Sequence, residues 1–345
     1  MRLLTVNAGS TSLKLVEVVG GSAARTFDSL DEALLGAPPD GVVHRVVHGG
    51  DRTAAALVDD AVLTELRSLT ELAPLHQPVA LDAIDRCRAQ WPDVPNVACF
   101  DTAFHATIPV AARTYALPQR LREKVRVYGF HGLAHAWAVG RLRTLAPAAR
   151  RVVVAHLGGG QSLCAAFDGH SIMTTMGFTP LDGLVMGTRS GTIDPGAVLW
   201  LQQHTDEDLP SVLESQSGLL GMCGSSDMRE VHRRIAEGDH EAALAFDVWL
   251  HRIVTLLGGC VAALGGIDAL VFSGGIGEHD GVVRARVAEA LEWLGVHLSD
   301  ANESEPEHTD RAISAPGARV ATFVIRARED LQLAEEASAL LQPGV

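Results

Sequence analysis

Two short stretches of the chain have the composition of an anion grip. Leu3-Leu4-Thr5-Val6-Asn7-Ala8-Gly9-Ser10-Thr11-Ser12-Leu13-Lys14-Leu15-Val16 is an apolar run, a Gly/Ser turn and a second apolar run. Val152 to Ala166 repeats that layout around His156-Leu157-Gly158-Gly159-Gly160-Gln161. Small residues at a hairpin tip let backbone N–H groups and hydroxyls approach an anion that a Cβ would hold away. Gly and Ser also dominate ordinary turns, so one such hairpin says little. Two with matching layout, one in each half, could hold a phosphate chain from opposite sides. Lys14 stands beside the first turn in a chain with two lysines and 26 arginines, which suggests that a compact ammonium is wanted there.

Other chemistry-bearing residues sit where strands should end. Asp101 terminates the run Val97–Phe100, and the carboxyl ends of strands are where α/β proteins place ligands. Gly274-Gly275-Ile276-Gly277 follows the run Asp268–Phe272 and reads as a Gly-rich turn that lets backbone approach a ligand. It lacks the G-x-G-x-x-G spacing of a dinucleotide fingerprint. His131 and His135 form an H-x-x-x-H pair, but the intervening Gly132-Leu133-Ala134 lacks the Glu of a zinc protease helix. Zinc is not expected.

The whole chain bounds these readings. At 345 residues two domains are expected. A hydrophobic content of 47% and mean hydropathy of +0.15 allow a substantial core. The net charge of −14 excludes a broad nucleic-acid or anionic-membrane surface. Five scattered cysteines, with no C-x-x-C pair, fit buried reduced thiols and a cytoplasmic location. The first residues enter a strand pattern without a charged, apolar and small-residue signal layout. The apolar stretch Ala242–Leu264 carries Asp247, His251 and Arg252 and reads as a buried helix rather than a membrane span.

Periodicity supplies the positioning elements. The first half holds the 3–19 hairpin, a polar and Gly-containing stretch to Asp40, and a strand over Gly41–Val47. Helical patterns follow near 61–72 and 79–90, then the strand Val97–Phe100. Ala146-Pro147-Ala148-Ala149 marks a boundary. The second half restarts with the 152–166 hairpin. It continues through a Gly-rich stretch from 176 to 196, the buried helix, strands near 268–272 and 318–325, and a closing helix over about 330–341. Two related α/β domains with mixed sheets are expected, 1–148 plus 328–345 and 149–327, flanking a ligand cleft.

In order along the chain stand nine motifs. They are Asn7-Ala8-Gly9-Ser10-Thr11-Ser12-Leu13-Lys14, His44-Arg45-Val46-Val47-His48-Gly49-Gly50, Leu72-Ala73-Pro74-Leu75-His76, Phe100-Asp101-Thr102-Ala103-Phe104-His105 and Tyr128-Gly129-Phe130-His131-Gly132. They continue with Met176-Gly177-Phe178-Thr179-Pro180-Leu181-Asp182-Gly183-Leu184, Met186-Gly187-Thr188-Arg189-Ser190-Gly191, Ser225-Ser226-Asp227-Met228-Arg229 and Gly274-Gly275-Ile276-Gly277-Glu278. Together they resemble the acetate kinase family, within the superfamily of actin, sugar kinases and heat-shock chaperone ATPases.

That resemblance implies two actin-like (ribonuclease H-like) domains and reversible phosphoryl transfer from ATP to acetate with Mg²⁺. Two anions must then meet, so positioning and charge neutralisation dominate. The resemblance gives Arg45, Asp101, His131 and Arg189 catalytic roles, with His76 and His156 in support. It assigns Val47, Leu75, Phe130 and Pro180, beside Arg45, to the acid's methyl pocket. Asn7, Ser10, Ser12, Lys14, His156, Leu157, Gly158, Gly159 and Gly160 would face the phosphates. Asp227, Met228, Arg229, Gly275, Ile276, Gly277 and His279 would face the adenosine, and Asn7 and Glu329 a metal. It also implies a homodimer.

Five places depart from the family's usual text. Gly159, His279 and Gln77 each stand where an Asn is usual. Leu133-Ala134 replace a Thr-Ser pair, and Arg326-Ala327-Arg328 replace Pro-Thr-Asn. The chain also reads as shorter than usual near 20–40 and 300–318. The remaining rivals are a kinase of propionate, butyrate or another small acid, one using a donor other than ATP, and a non-catalytic nucleotide sensor.

Overall fold

Strand β1 (Arg2–Ala8) pairs antiparallel with β2 (Leu13–Val19), from Arg2 opposite Val19 to Ala8 opposite Leu13. The sheet is completed by β3 (Ser22–Phe27), β4 (Gly41–Val46), β5 (Ala56–Leu57) and β6 (Asn96–Phe100), in the order β3-β2-β1-β4-β6-β5. β1, β4 and β6 run parallel, and the other pairings are antiparallel. The second sheet comprises β7 (Arg151–Leu157), β8 (Gln161–Phe167), β9 (His170–Thr174), β10 (Ala269–Ser273), β11 (Arg311–Ala312) and β12 (Ala321–Val324). Its order is β9-β8-β7-β10-β12-β11, with β7, β10 and β12 parallel. Strand for strand, the second sheet repeats the first.

The computed structural model describes residues 1–9, 13–74, 76–303 and 309–342. It divides into two units, Met1–Thr107 with Tyr128–Trp137 and Arg328–Val345, and Ile108–Val127 with Ala138–Ala327. Residues 108–127 and 138–148, on the N-terminal side of the expected boundary, therefore cluster with the second unit.

Parallel strands with helices on both faces must be apolar on both sides, and β6 and β10 are buried at every residue. In the first unit the helix Glu329–Leu341 covers one face, placing Leu333, Ala334 and Ala337 on Leu3, Val43, Val97 and Cys99. In the second, the helix His240–Leu264 packs Phe246, Trp249, Ile253, Leu257 and Cys260 into the core with Val153, Ala155, Leu163 and Ala165. Asp239 caps its start through the Glu241 and Ala242 N–H groups, and Gly265 ends it in the left-handed region at φ 66°. Its length and composition would suit a membrane span, but its apolar stripe is the core of this unit. All five cysteines are free and buried.

Two local expectations are corrected. Residues 20–40 contain β3 and the helix Leu30–Leu34 rather than a plain polar connection. β3 is an edge strand exposed at every residue but Phe27, so no apolar alternation announces it; its pairing with β2 forms it. Gly274–Gly277 is not a turn but opens a helix, Gly274–His279. Gly274 enters at φ 78°, and the Glu278 carboxylate reaches back to accept its N–H at 3.0 Å.

Two buried histidines make the fold acid-sensitive. His44 Nε2 donates to Asn96 Oδ1 at 2.7 Å, and burial holds its pKa down at about 4 against the pull of that amide oxygen. Burial does the same to His105, whose Nε2 meets the Phe130 carbonyl at 3.0 Å, again giving about 4. Near pH 6.5 the unfolded chain begins to take up protons that the folded one refuses until about 4. Stability therefore falls as pH drops through that window, by about 3 kcal/mol per histidine over its full width. Urea midpoints should decline steeply from about pH 6.5 to 4.5. A flat profile would contradict this account.

Candidate active site

Four polar side chains converge because strand alternation puts them on one face. Leu3, Thr5 and Asn7 share a face of β1, Val43 and Arg45 a face of β4, and Val97, Cys99 and Asp101 a face at β6. The register sets Val6 beside His44 and Val46 beside Phe100, which brings Asn7, Arg45 and Asp101 to the carboxyl ends of three parallel strands. The helix Glu329–Leu341 packs on that same face and delivers its first residue, Glu329. Arg45 Nε and Nη2 both donate to Asp101 Oδ2, at 3.0 and 2.6 Å. Arg45 Nη1 donates to Asn7 Oδ1 at 3.0 Å and lies 3.8 Å from Glu329 Oε2. Asn7 Nδ2 donates to the same Glu329 oxygen at 2.5 Å.

This cluster is nearly dry. The side chains of Arg45, Asp101 and Glu329 are 11%, 1% and 15% exposed. Burial pushes the Asp101 carboxyl up, against the pull of the Arg45 charge. Burial also opposes the Arg45 charge, but Asp101 and Glu329 outweigh it and hold the guanidinium firmly protonated. Asp101 Oδ1 is buried and accepts no hydrogen bond within normal geometry, although the Leu133 N–H favours the charged carboxylate. Arg45 thus lies between two carboxylates, those of Asp101 and Glu329.

His131 is set beside Asp101 by the backbone. Gly132 N–H donates to the Asp101 carbonyl at 2.8 Å. His131 itself takes φ 58°, strained for a residue with a side chain and of the kind that gathers at functional sites. Phe130 is buried, and its carbonyl is held by His105. Val47 is buried at the exit of β4. Gln77 has a part that its sequence departure did not announce. It is fully buried, donates to the carbonyls of His48 and Leu66 at 3.1 Å, and accepts the His48 N–H at 3.3 Å. It thereby fixes the chain just after Val47. His76 occupies the N-cap position of the Gln77–Gln90 helix, half-buried.

The second unit carries the second hairpin tip. Gly158, Gly159 and Gly160 connect β7 to β8, and a Cβ on Gly158 would lie 3.9 Å from Gly275 N. The helix Gly274–His279 thus begins against the tip, with Gly274 packed on the Leu157 backbone. Gly275 and His279 are exposed, Ile276 is half-buried, and Gly277, His156 and Leu157 are buried. Gly187 N–H donates to the Gly159 carbonyl at 3.2 Å, tying the tip to the loop that bears Arg189. Arg189 is half-buried, and its Nη1 donates to the Pro180 carbonyl at 2.9 Å. Tyr115, which no motif singles out, steadies the same loop by accepting the Phe178 N–H at 3.0 Å.

Other sites fall less close to chemistry. Asp227 caps the helix Met228–Ala236 and pairs with the exposed Arg229 at 2.6 Å, while the Met228 side chain lies in the core. Lys14 is exposed on β2 opposite Asn7. Ser10, Ser12 and Leu75 lie outside the described residues. Among the described residues no group of three or more His, Cys, Asp or Glu is placed to hold a metal.

With this geometry in view, the family model described as the acetokinase family matches residues 37–335. The chain belongs to that family. An acetate kinase of Clavibacter michiganensis is 45% identical over 311 residues, covering 88% of this chain and 78% of that one. An acetate kinase of Methylocella silvestris is 48% identical over 307 residues, covering 86% and 74%. Among solved structures, the acetate kinase of Entamoeba histolytica superposes with a TM-score of 0.89 at 30% identity, covering 98% of this chain and 99% of that one. This acetokinase-family protein is accordingly a phosphotransferase with a carboxyl group as acceptor, a short-chain carboxylate kinase.

Two glycines, one in each unit, should answer substitution in opposite ways. A Cβ on Gly132 would fall 2.1 Å from the Asp101 carbonyl oxygen, where backbone must move, whereas a Cβ on Gly159 meets nothing within 4 Å. Gly132→Ala should cost about 3 kcal/mol and lower the melting temperature by several degrees. Gly159→Ala should leave it within about a degree, since it removes no contact. Equal melting temperatures for the two variants would contradict the reading of Gly132.

Proposed function

We propose that the protein transfers the γ-phosphoryl group of ATP to acetate, reversibly and with Mg²⁺, giving acetyl phosphate and ADP. The observation that carries this reading is the buried Arg45 between Asp101 and Glu329 at the strand ends. A carboxylate oxygen attacks the γ-phosphorus, a new O–P bond forms, and the bond to the ADP bridging oxygen breaks. The attacking oxygen is already anionic, so no general base is needed.

Arg45 meets charge on the carboxylate and the transferring group with a fork fixed in advance by Asp101 and Asn7, which lowers the cost of reorganisation. The family resemblance assigns Arg189 to the same group, and gives His131 a hydrogen bond or charge to donate to it. Val47 and Phe130, with Pro180 and Leu75, would limit the length of the acid. One methylene is worth only about 1–3 kcal/mol in such a pocket, so propionate should also react.

The residues near Arg45 fit a divalent cation. Two carboxylates beside the strand ends, and the buried Asp101 Oδ1, support one. Mg²⁺ needs only one or two carboxylates besides phosphate oxygens and water. Glu329 would hold it, directly or through water. Asn7 Oδ1 already serves Arg45, so Asn7 would mainly orient Glu329. When bound, the ion neutralises phosphate charge. The family resemblance also supports a homodimer, and the buried free thiols support a cytoplasmic location.

Trapping acyl phosphates as hydroxamates across a panel of C1–C4 acids tests the activity. Acetate should give product with ATP and Mg²⁺. Arg45→Ala and Arg189→Ala should each lower kcat by roughly 10³-fold, as loss of a phosphoryl-stabilising arginine does. No product with any acid would overturn the proposal, and raised KM at normal kcat would reduce either arginine to a binding role.

Gly159 and His279 should weaken nucleotide use without abolishing it. The Gly159 position has open space for a side chain, and His279 is exposed. Gly159→Asn with His279→Asn should lower the KM for ATP by roughly five- to a hundredfold, the worth of one restored donor once bound nucleotide shields it from water. An unchanged KM, or a wild-type preference for pyrophosphate over ATP, would reject this account.

A further inference from the structure

The first unit contains a groove of about 470 Å³, a volume suited to a small organic ligand. Ala54, Phe104 and Ala136 help make its wall apolar, and Glu336, from the helix Glu329–Leu341, supplies a carboxyl. Glu336 Oε1 accepts the Gln332 amide at 3.0 Å. The charges that act on it most are those of Asp101 and Glu335, both acidic, and among the described residues no ion pair to Glu336 is formed. Burial and these neighbours raise its pKa. Asp101 and Asp268 show the contrast, each being paired with an arginine.

A partly buried carboxylate in an apolar wall with acidic neighbours repels anions, which excludes organic acids and nucleotides. It favours a cation that brings its own apolar surface. We propose that this groove binds a small organic ammonium with an apolar body, the ammonium on Glu336 and the body along Ala54, Phe104 and Ala136. Binding there has a route to the chemistry. The groove wall includes Phe100, next to Asp101, and Gly132, whose N–H holds the Asp101 carbonyl and which follows His131. A positive charge at Glu336 also relieves its repulsion with Asp101, so occupancy changes turnover.

Calorimetric titration of the whole protein at about pH 8 with hexylammonium, hexanol and hexanoate separates the contributions, since a charged hydrogen bond is worth about tenfold or more in affinity. Hexylammonium should bind saturably, hexanol about tenfold or more weakly, and hexanoate not at all. Glu336→Gln should weaken hexylammonium about tenfold or more while sparing hexanol. Ala339→Trp, at an exposed residue of the groove wall, should block both without lowering the melting temperature. Saturating hexylammonium should change kcat in wild type and not in Glu336→Gln. Equal binding of hexanol and hexylammonium, undiminished binding in both variants, or no saturable heat from any probe would overturn the proposal.

Discussion

The buried guanidinium of Arg45 is the constraint around which the first unit is arranged. Its Nε and Nη2 are held by one oxygen of Asp101, and its Nη1 by Asn7 with Glu329 close by. A charge this dry survives only when paired, and here it is paired on three sides. Burial raises the Asp101 pKa, and the Arg45 charge opposes that rise. Removing either partner would leave the other buried and uncompensated. The same pairing holds the guanidinium rigid, so the fork proposed to meet an anionic substrate is also one that stabilises the fold.

That arrangement requires three parallel strands to end at the same level. β1, β4 and β6 do so because their register is fixed by apolar faces, and a slip of one residue would turn Arg45 toward the opposite face. The closing helix completes it. Leu333, Ala334 and Ala337 seat the helix on Leu3, Val43 and Val97, and its first turn then brings Glu329 to Arg45. Acidic residues at the start of a helix are favoured by its dipole, which lowers the cost of placing Glu329 there.

The second unit uses the same sheet for a different surface. Where the first ends its strands in charged side chains, the second ends β7 in three glycines and β10 in a helix that begins with two. Backbone therefore comes close at Leu157, Gly158 and Gly274. The Gly187 to Gly159 hydrogen bond joins this tip to the Arg189 loop. Gly183 at φ 100° and Gly191 at φ 68° let that loop fold against its own carbonyls, which a Cβ would meet at 2.5 and 2.4 Å. Loss of the Asn donor at Gly159 thus leaves the backbone framework of the turn in place.

By itself the sequence determined the two hairpins, the central strands, the long core helix and the closing helix, because each carries a strong period or an unbroken apolar run. Through its resemblance to the acetate kinase family, carried by motifs in order along the chain, it also marked Arg45, Asp101, His131 and Arg189. It did not reveal β3, whose exposed residues carry no alternation and which exists only by pairing with β2. It read Gly274–Gly277 as a turn, because helix formation there depends on Glu278 capping Gly274 and on packing against Leu157. Nor could it show that Asn7, Arg45, Asp101 and Glu329, spread over 322 positions, share one hydrogen-bonded cluster, or that Gln77 anchors His48. Local propensity acts over a few residues. The meeting of distant polar groups is decided by strand register and helix seating, which only the folded chain possesses.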